Sequence, residues 1–165
     1  MKKFIREYSA YNLWANERLC NVTAFLNDAQ FNQEIISSFP SIQKTLLHIW
    51  DTQSIWIERL KGNSPTSFPS SDFSGTRQEV LEGVIRSSVE LEEMAYFHGK
   101  KDLRQRKSYA TLKGGKYTSA VYQVFVHVFN HSTYHRGQLV TMFRQAGVND
   151  LPQTDLIYFY REIKA

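Results

Sequence analysis

The feature that most constrains this 165-residue chain is a set of four long segments whose apolar residues recur every three or four positions. That spacing places the apolar side chains on one face of an α-helix. All four prolines of the chain lie outside these segments, as expected because proline interrupts a helix interior. The sequence therefore predicts an all-α four-helix bundle that forms a single domain over residues 1–165. The four predicted helices cover residues 3–26, 41–61, 76–98 and 119–145.

The connections between these segments refine the predicted bundle. Residues 63–75 are rich in Ser, Pro and Gly, and they are long enough to cross the bundle, so the second and third helices are predicted to run parallel. A Gly-Gly pair within residues 105–117 predicts a small hairpin before the fourth helix. Residues 29–40 form a connection with room for one short helical turn, and residues 153–162 predict a short terminal helix. The predicted caps are Ser41 at the start of the second helix and Gly62, Gly99 and Gly147 at helix ends.

The net charge of +4 is concentrated in one place. Residues 100–116 contain seven basic residues and one acidic residue, a net charge of +6, whereas the rest of the chain has a net charge of −2. Tyr109 and Tyr117 are interleaved with these lysines, which suits the stacking of nucleic-acid bases. A nucleic-acid binder usually carries a broader basic face, so we interpret the segment as a solvated hairpin and consider nucleic-acid binding the weaker alternative.

Other sequence features limit the location and redox chemistry of the protein. A single cysteine excludes an internal disulfide framework. No apolar run approaches the roughly 18 residues of a membrane span, and no apolar signal region follows Met1. We therefore expect a cytoplasmic protein without membrane contact. The cysteine, Cys20, lies off the apolar stripe of the first helix and has no recognisable activating neighbour, which favours a structural role over a catalytic one.

Three of the five histidines lie four residues apart on the fourth predicted helix, at positions 127, 131 and 135. Their spacing places all three on the inner stripe, where each buried ring needs polar partners. A metal ion would satisfy them, because neutral imidazole is a common metal ligand. His127 and His135 are roughly 12 Å apart along the helix. The spacing therefore allows an ion to take His127 with His131, or His131 with His135, but not all three.

A third ligand must come from another helix. His48, on the second helix, is the remaining histidine within a helix interior, and it lies away from the centre of the main apolar stripe. Helix geometry leaves two readings open: a boundary histidine in contact with water, or a ligand on a second edge that faces the fourth helix. His98 ends the third helix, where an imidazolium suits the helix dipole, and we interpret it as structural. The helix-4 motif also lacks the glutamate base of zincin metalloproteases.

Several motifs in this order resemble those of the DinB/YfiT family of metal-dependent four-helix-bundle proteins. Residues 11–16 read Tyr-Asn-Leu-Trp-Ala-Asn, similar to the family's Y-N-x-W-A-N opening, and residues 46–49 contain the lone helix-2 histidine. Residues 127–138 resemble the H-x-x-N-H-x-x-x-H-R-G-Q signature, and residues 152–156 resemble the family's ending. The resemblance covers nearly the whole chain, and the helix-4 motif is its most specific part.

The resemblance implies a set of expectations about the site. The metal ligands implied by the matching positions are His48, His131 and His135, whereas His127 would be a neighbour that is hydrogen-bonded within the core. The implied ion is zinc or nickel, and the residues do not choose between them. Family members often form homodimers, and characterised relatives include transferases that use low-molecular-weight thiols. Together with the histidine spacing, the resemblance thus implies a metal-dependent enzyme of thiol-transferase or hydrolase type acting on a small molecule. The alternative is a non-catalytic metal-binding or scaffold bundle.

Overall fold

Helices make up most of the computed structural model, which describes residues 1–163. The predicted all-α bundle is confirmed, and residues 164 and 165 of the predicted domain lie outside the described part of the chain. A 3₁₀ turn at Asp102–Arg104 and a two-stranded hairpin separate the third and fourth long helices. In chain order the helices are α1 (Lys2–Ala24), α2 (Asp28–Asn32), α3 (Ile42–Lys61), α4 (Arg77–Phe97), α5 (Val121–Gln145) and α6 (Leu156–Glu162).

Most of the predicted helix ends agree with the structure. The Ser41 hydroxyl accepts a hydrogen bond from the Lys44 backbone N–H at 3.1 Å, as an N-cap should. Gly62 ends α3 with a φ of +100°, a conformation that favours glycine. The prediction that Gly99 caps α4 is wrong, because the helix already ends at Phe97 and continues into extended backbone. The Gly99 N–H instead donates to a carboxylate oxygen of Asp102 at 2.9 Å, at the start of the 3₁₀ turn.

The predicted hairpin is confirmed, with its second strand shifted along the chain. Strand β1 (Arg106–Ala110) pairs antiparallel with β2 (Lys116–Ala120), and Tyr109 lies opposite Tyr117. The turn between them contains Gly114 with a φ of +83°. Because β2 extends to Ala120, α5 begins two residues later than predicted.

The four long helices form a bundle in which α1 and α3 each pack against both α4 and α5. The pairing of residues along α3 and α4 shows that the two helices run parallel. Gln53 donates to the Ser87 hydroxyl at 2.8 Å, and Lys61, further along α3, pairs with Glu90, further along α4, at 2.7 Å. The crossover predicted for residues 63–75 is therefore present. Within the described part of the chain, every helix is too short or too polar to cross a bilayer.

A layer of polar side chains separates two apolar clusters of the core. One cluster gathers the carboxyl half of α1 and α5 with the amino half of α3 and α4, and the other gathers the opposite halves. Between them, Asn16 donates to Ser88 at 2.9 Å and Asn12 donates to Gln53 at 2.9 Å. The guanidinium of Arg136, 2% exposed, donates to the side-chain carbonyl oxygens of both asparagines at 2.9 Å. Apart from Nε of Arg136, which has no partner in the described chain, these groups pair with one another in the middle of the bundle.

Candidate metal centre

The structure brings together the imidazoles of His48 from α3 and of His131 and His135 from α5. The Nε2 atom of His131 lies 3.1 Å from Nε2 of His48 and 3.2 Å from Nε2 of His135. The three donor atoms all lie within 4.8 Å of one another. Of the two readings that the sequence left open for His48, the structure supports the one in which this edge of α3 faces α5.

Burial keeps these imidazoles neutral near pH 7. Burial, with a smaller contribution from a nearby His135 charge, lowers the pKa of His48 from 6.5 to about 4. Burial, followed by the charges of His135, His48 and His127, lowers the pKa of His131 from 6.5 to about 3. The pKa of His135 is also lowered by burial, although its hydrogen bond to Gln138 opposes that effect. Neutral rings expose nitrogen lone pairs, which is the state in which histidine binds metal ions.

Two neighbours orient the rings. Nδ1 of His135 lies 2.8 Å from Oε1 of Gln138, and the Gln138 amide nitrogen donates to the Ser38 hydroxyl at 3.0 Å. Because an amide oxygen can only accept, Nδ1 of His135 carries the proton and Nε2 is left with a free lone pair. Phe39 stacks on His48, with ring centroids 3.9 Å apart and an interplanar angle of 21°, and it also contacts the edge of His135.

The donor set fits a divalent metal ion. Three donors at roughly 2.0–2.1 Å from one tetrahedral ion lie about 3.3 Å apart, close to the 3.1 and 3.2 Å separations of the Nε2 atoms. Without an ion, His135 has no proton on Nε2 to donate, and a single Nε2–H of His131 can satisfy only one of its two neighbours. Nδ1 of His131 also has no hydrogen-bond partner among residues 1–163. Imidazole nitrogen is a suitable donor for zinc, nickel, copper and iron alike.

The remaining histidines lie outside this cluster. His127 is exposed on α5, and its ring packs against the edge of Trp56 at a centroid distance of 5.1 Å. The expectation that His127 is hydrogen-bonded within the core is therefore wrong. Each four-residue step rotates about 40° around the helix, so His127 lies about 80° from His135 and turns away from the core. Nδ1 of His98 lies 2.6 Å from the Met94 carbonyl oxygen, consistent with its predicted structural role.

Cys20 is buried, at 4% exposure, in an apolar cluster of the core. The prediction that it lies off the apolar stripe is wrong, because the apolar face of α1 is broader than the stripe inferred from spacing alone. Burial, and to a smaller extent the charge of Glu17, raises the pKa of its thiol from 9.0 to about 12. The thiol is therefore protonated and poorly reactive near pH 7.

A cavity of about 660 Å³ adjoins the histidine cluster, and His131 belongs to both. The cavity lies between α3, α5 and the hairpin. Its apolar wall consists of Ile55, Trp56, Phe68, Leu112 and Tyr117. Arg59 and Lys113 also line it, together with His127 and two threonines. This volume falls within the range of pockets that bind small molecules.

The sequence did not predict the roles of Phe39, Gln138 or Arg59. Phe39 lies in the connection before α3. Because this connection is not helical, residue spacing does not predict which way its side chains point. Gln138 lies three residues after His135, so the i, i+3 neighbour rule could have suggested their contact. Arg59 follows Trp56 by three residues on α3, and its guanidinium lies 4.5 Å from the Trp56 ring; the same rule could have suggested this pair.

The fold and the site together define an α-helical bundle with a three-histidine cluster that fits a divalent metal ion. A model of the DinB family matches residues 1–163 of the chain. The chain therefore belongs to the DinB family. It is similar to a protein named "Protein DinB" from Bacillus subtilis (strain 168), with 29% identity over 172 residues, an alignment that covers 97% of this chain and 96% of the relative.

Proposed function

We propose that this protein is a divalent-metal-dependent enzyme that acts on a small molecule by thiol transfer or by hydrolysis. One observation carries the proposal: three neutral imidazoles converge through Nε2 at the wall of a cavity of about 660 Å³. Structural metal sites are usually closed by four protein ligands. Among residues 1–163, no carboxylate or thiol joins the three histidines as a fourth ligand. This arrangement favours a site with a coordination position free for a substrate.

The side chains of the site have separable tasks in this proposal. When bound, a zinc or nickel ion supplies Lewis-acid activation of a water molecule or of a substrate thiol. His48, His131 and His135 hold the ion as neutral donors. Gln138 fixes the proton of His135 on Nδ1, and Phe39 shields two of the rings from solvent.

Any thiol that takes part must come from outside the chain. Cys20 is buried in the core, away from the residues that line the cavity, and its raised pKa keeps it protonated. The proposed substrate is therefore a low-molecular-weight thiol for the transferase reaction.

The first test is the metal content of the purified protein, measured by inductively coupled plasma mass spectrometry. We expect about one ion per chain in the wild type, since three histidine donors suffice for one site, and almost none in His48→Ala. His98→Ala is the matched control, because it removes a histidine at the end of α4, outside the cluster. Equal metal content in the wild type and in His48→Ala would refute the ligand set.

The second test separates enzyme from non-catalytic bundle. Zinc-loaded and nickel-loaded protein would be incubated with an electrophile in the presence and absence of small thiols, and separately with a panel of esters and amides. Thiol-dependent conjugation that His48→Ala abolishes supports transfer, and thiol-independent cleavage supports hydrolysis. A fully metal-loaded protein with neither activity would favour the scaffold alternative.

A further inference from the structure

Arg59 is a largely buried arginine without an anionic partner among the described residues. Arg59 lies in the last turn of α3 and is 7% exposed. Its guanidinium carbon lies 4.5 Å from the ring centroid of Trp56 and 5.1 Å from that of Tyr109. The two aromatic rings hold the guanidinium in place. Among residues 1–163 no carboxylate forms an ion pair with it.

Other arginines whose Nε is buried show what is missing at Arg59. Within the described chain, Arg6 and Arg77 donate through their Nη atoms to backbone carbonyls, Arg18 donates to Glu162, and Arg136 donates to two asparagines. The Nε atoms of all five arginines, Arg59 included, are buried without a hydrogen-bond partner in this part of the chain. Arg59 differs because its Nη atoms also donate to no acceptor in the described chain, whereas those of the other four do. A largely buried cation without an acceptor is costly, so an anionic ligand in the adjoining cavity would stabilise it.

The charge distribution of the cavity agrees with an anionic ligand. Arg59 and Lys113 both line it, whereas none of its described lining residues is acidic. The two positive charges therefore face the cavity without a negative charge to offset them.

We propose that this cavity binds a small organic carboxylate whose acidic group pairs with Arg59 and Lys113 and whose flat apolar body lies against Trp56 and Tyr117. The planar fork of a guanidinium matches the two oxygens of a carboxylate. A carboxylate is preferred over a phosphate because the described lining contains no helix N-terminus, the usual partner of phosphate groups. His131 lines the same cavity, so such a ligand also lies beside the histidine cluster. This proposal names a substrate class for the proposed function, but anion binding at Arg59 does not itself require a metal ion.

The test compares two probes of the same shape, 3-phenylpropionate and its uncharged amide, 3-phenylpropionamide. Binding is measured by ligand-observed NMR titration on protein stripped of metal with EDTA and on zinc-loaded protein. Fragments of this size bind with a Kd of about 1–10 mM. We expect the carboxylate to bind in this range in both forms, and the amide to bind about tenfold more weakly or worse, because it lacks a charge-assisted pair.

The variants locate the binding. Arg59→Gln should weaken carboxylate binding by about tenfold, and Arg59→Lys, which keeps the charge, should weaken it less. Arg104→Gln is the matched control, since Arg104 is an exposed arginine of the basic segment 100–116 that lies outside the cavity lining. Circular dichroism and melting temperature check that each variant is folded, and Arg59→Lys decides the matter if Arg59→Gln does not fold.

Three results would overturn the carboxylate proposal: no binding of 3-phenylpropionate at 10 mM, equal binding of the amide, or undiminished binding to a folded Arg59 variant. Because the metal-free measurement removes the ion, these results are independent of the metal content of His48→Ala. Failure of the carboxylate site therefore leaves the proposed metal-dependent function standing, and the reverse also holds.

Discussion

Replacing Arg136 with methionine tests the role of the polar layer in the middle of the bundle. The guanidinium donates to the side-chain oxygens of Asn12 and Asn16 at 2.9 Å and to the Thr133 hydroxyl at 2.7 Å. The asparagines are 0% and 2% exposed. Arg136→Met leaves their two oxygens without a donor and without access to water. Their amide groups keep the bonds to Gln53 and its neighbours.

The expected destabilisation follows from these contacts. Each buried acceptor left unpaired costs about 1–3 kcal/mol, so two cost about 2–6 kcal/mol. Part of this is offset because the wild-type protein keeps a charge with no carboxylate partner in its interior, and methionine removes that desolvation cost. We therefore expect the free energy of unfolding to fall by about 2–4 kcal/mol.

The assay is urea unfolding of the metal-free protein, followed by circular dichroism, with EDTA present so that metal binding does not contribute to stability. Asn12→Leu completes a double-mutant cycle, because it removes one of the orphaned oxygens. The double variant should lose about 1–2 kcal/mol less than the sum of the single variants. A strictly additive cycle, or an Arg136→Met protein as stable as the wild type, would refute this account of the layer.

Three further predictions concern the site and the packing around it. Gln138→Leu removes the hydrogen-bond acceptor that orients the His135 ring. The affinity for a metal ion, measured by competition with a chelator, should therefore fall by about 10–100-fold. The pKa values of His48 and His131, lowered from 6.5 to about 4 and about 3, mean that the unfolded chain takes up protons first as the pH falls. The metal-free protein should therefore keep its stability above about pH 6.5 and lose about 2–4 kcal/mol on acidification from there to pH 4, after discounting for partial exposure; a flat stability profile would contradict this. Gly83→Ala places a methyl carbon 2.5 Å from the indole of Trp50, and the unfolding free energy should fall by about 1–3 kcal/mol despite the higher helix propensity of alanine.

Sequence periodicity predicted the bundle well because each long helix has a wide apolar face and clear ends. The crossover could be predicted because proline and glycine mark the segment after Gly62. Periodicity was less successful at predicting which side chains are buried where one helix contacts two neighbouring helices. Cys20 lies on such a second face of α1 and is buried, whereas His127 faces the cavity beside α3 and not the packed core, and it is exposed.

The site could be predicted only in part for a similar physical reason. The spacing of the histidines on α5 reduced the possible ligand pairs on that helix to two. Whether His48 faces them depends on the rotation of α3 about its own axis in the bundle, which the sequence leaves open. The resemblance to the DinB family supplied that missing choice. The polar layer was not predicted, because an asparagine that will be buried, such as Asn12, cannot be distinguished in the sequence from one that faces solvent. The role of Arg59 was not predicted, because only the tertiary structure shows that no carboxylate lies close enough to pair with it.

The hairpin has a consequence for how proteins with this architecture diversify. Five of the residues that line the cavity belong to the hairpin and its turn, whereas the three imidazoles are fixed by the bundle helices. Substitutions between Thr111 and Tyr117 can therefore reshape the binding wall while the spacing of the imidazoles stays the same. The selectivity for a ligand can then evolve independently of the arrangement of the three imidazoles. Exchanging this short segment between homologues is accordingly a direct way to redesign ligand specificity.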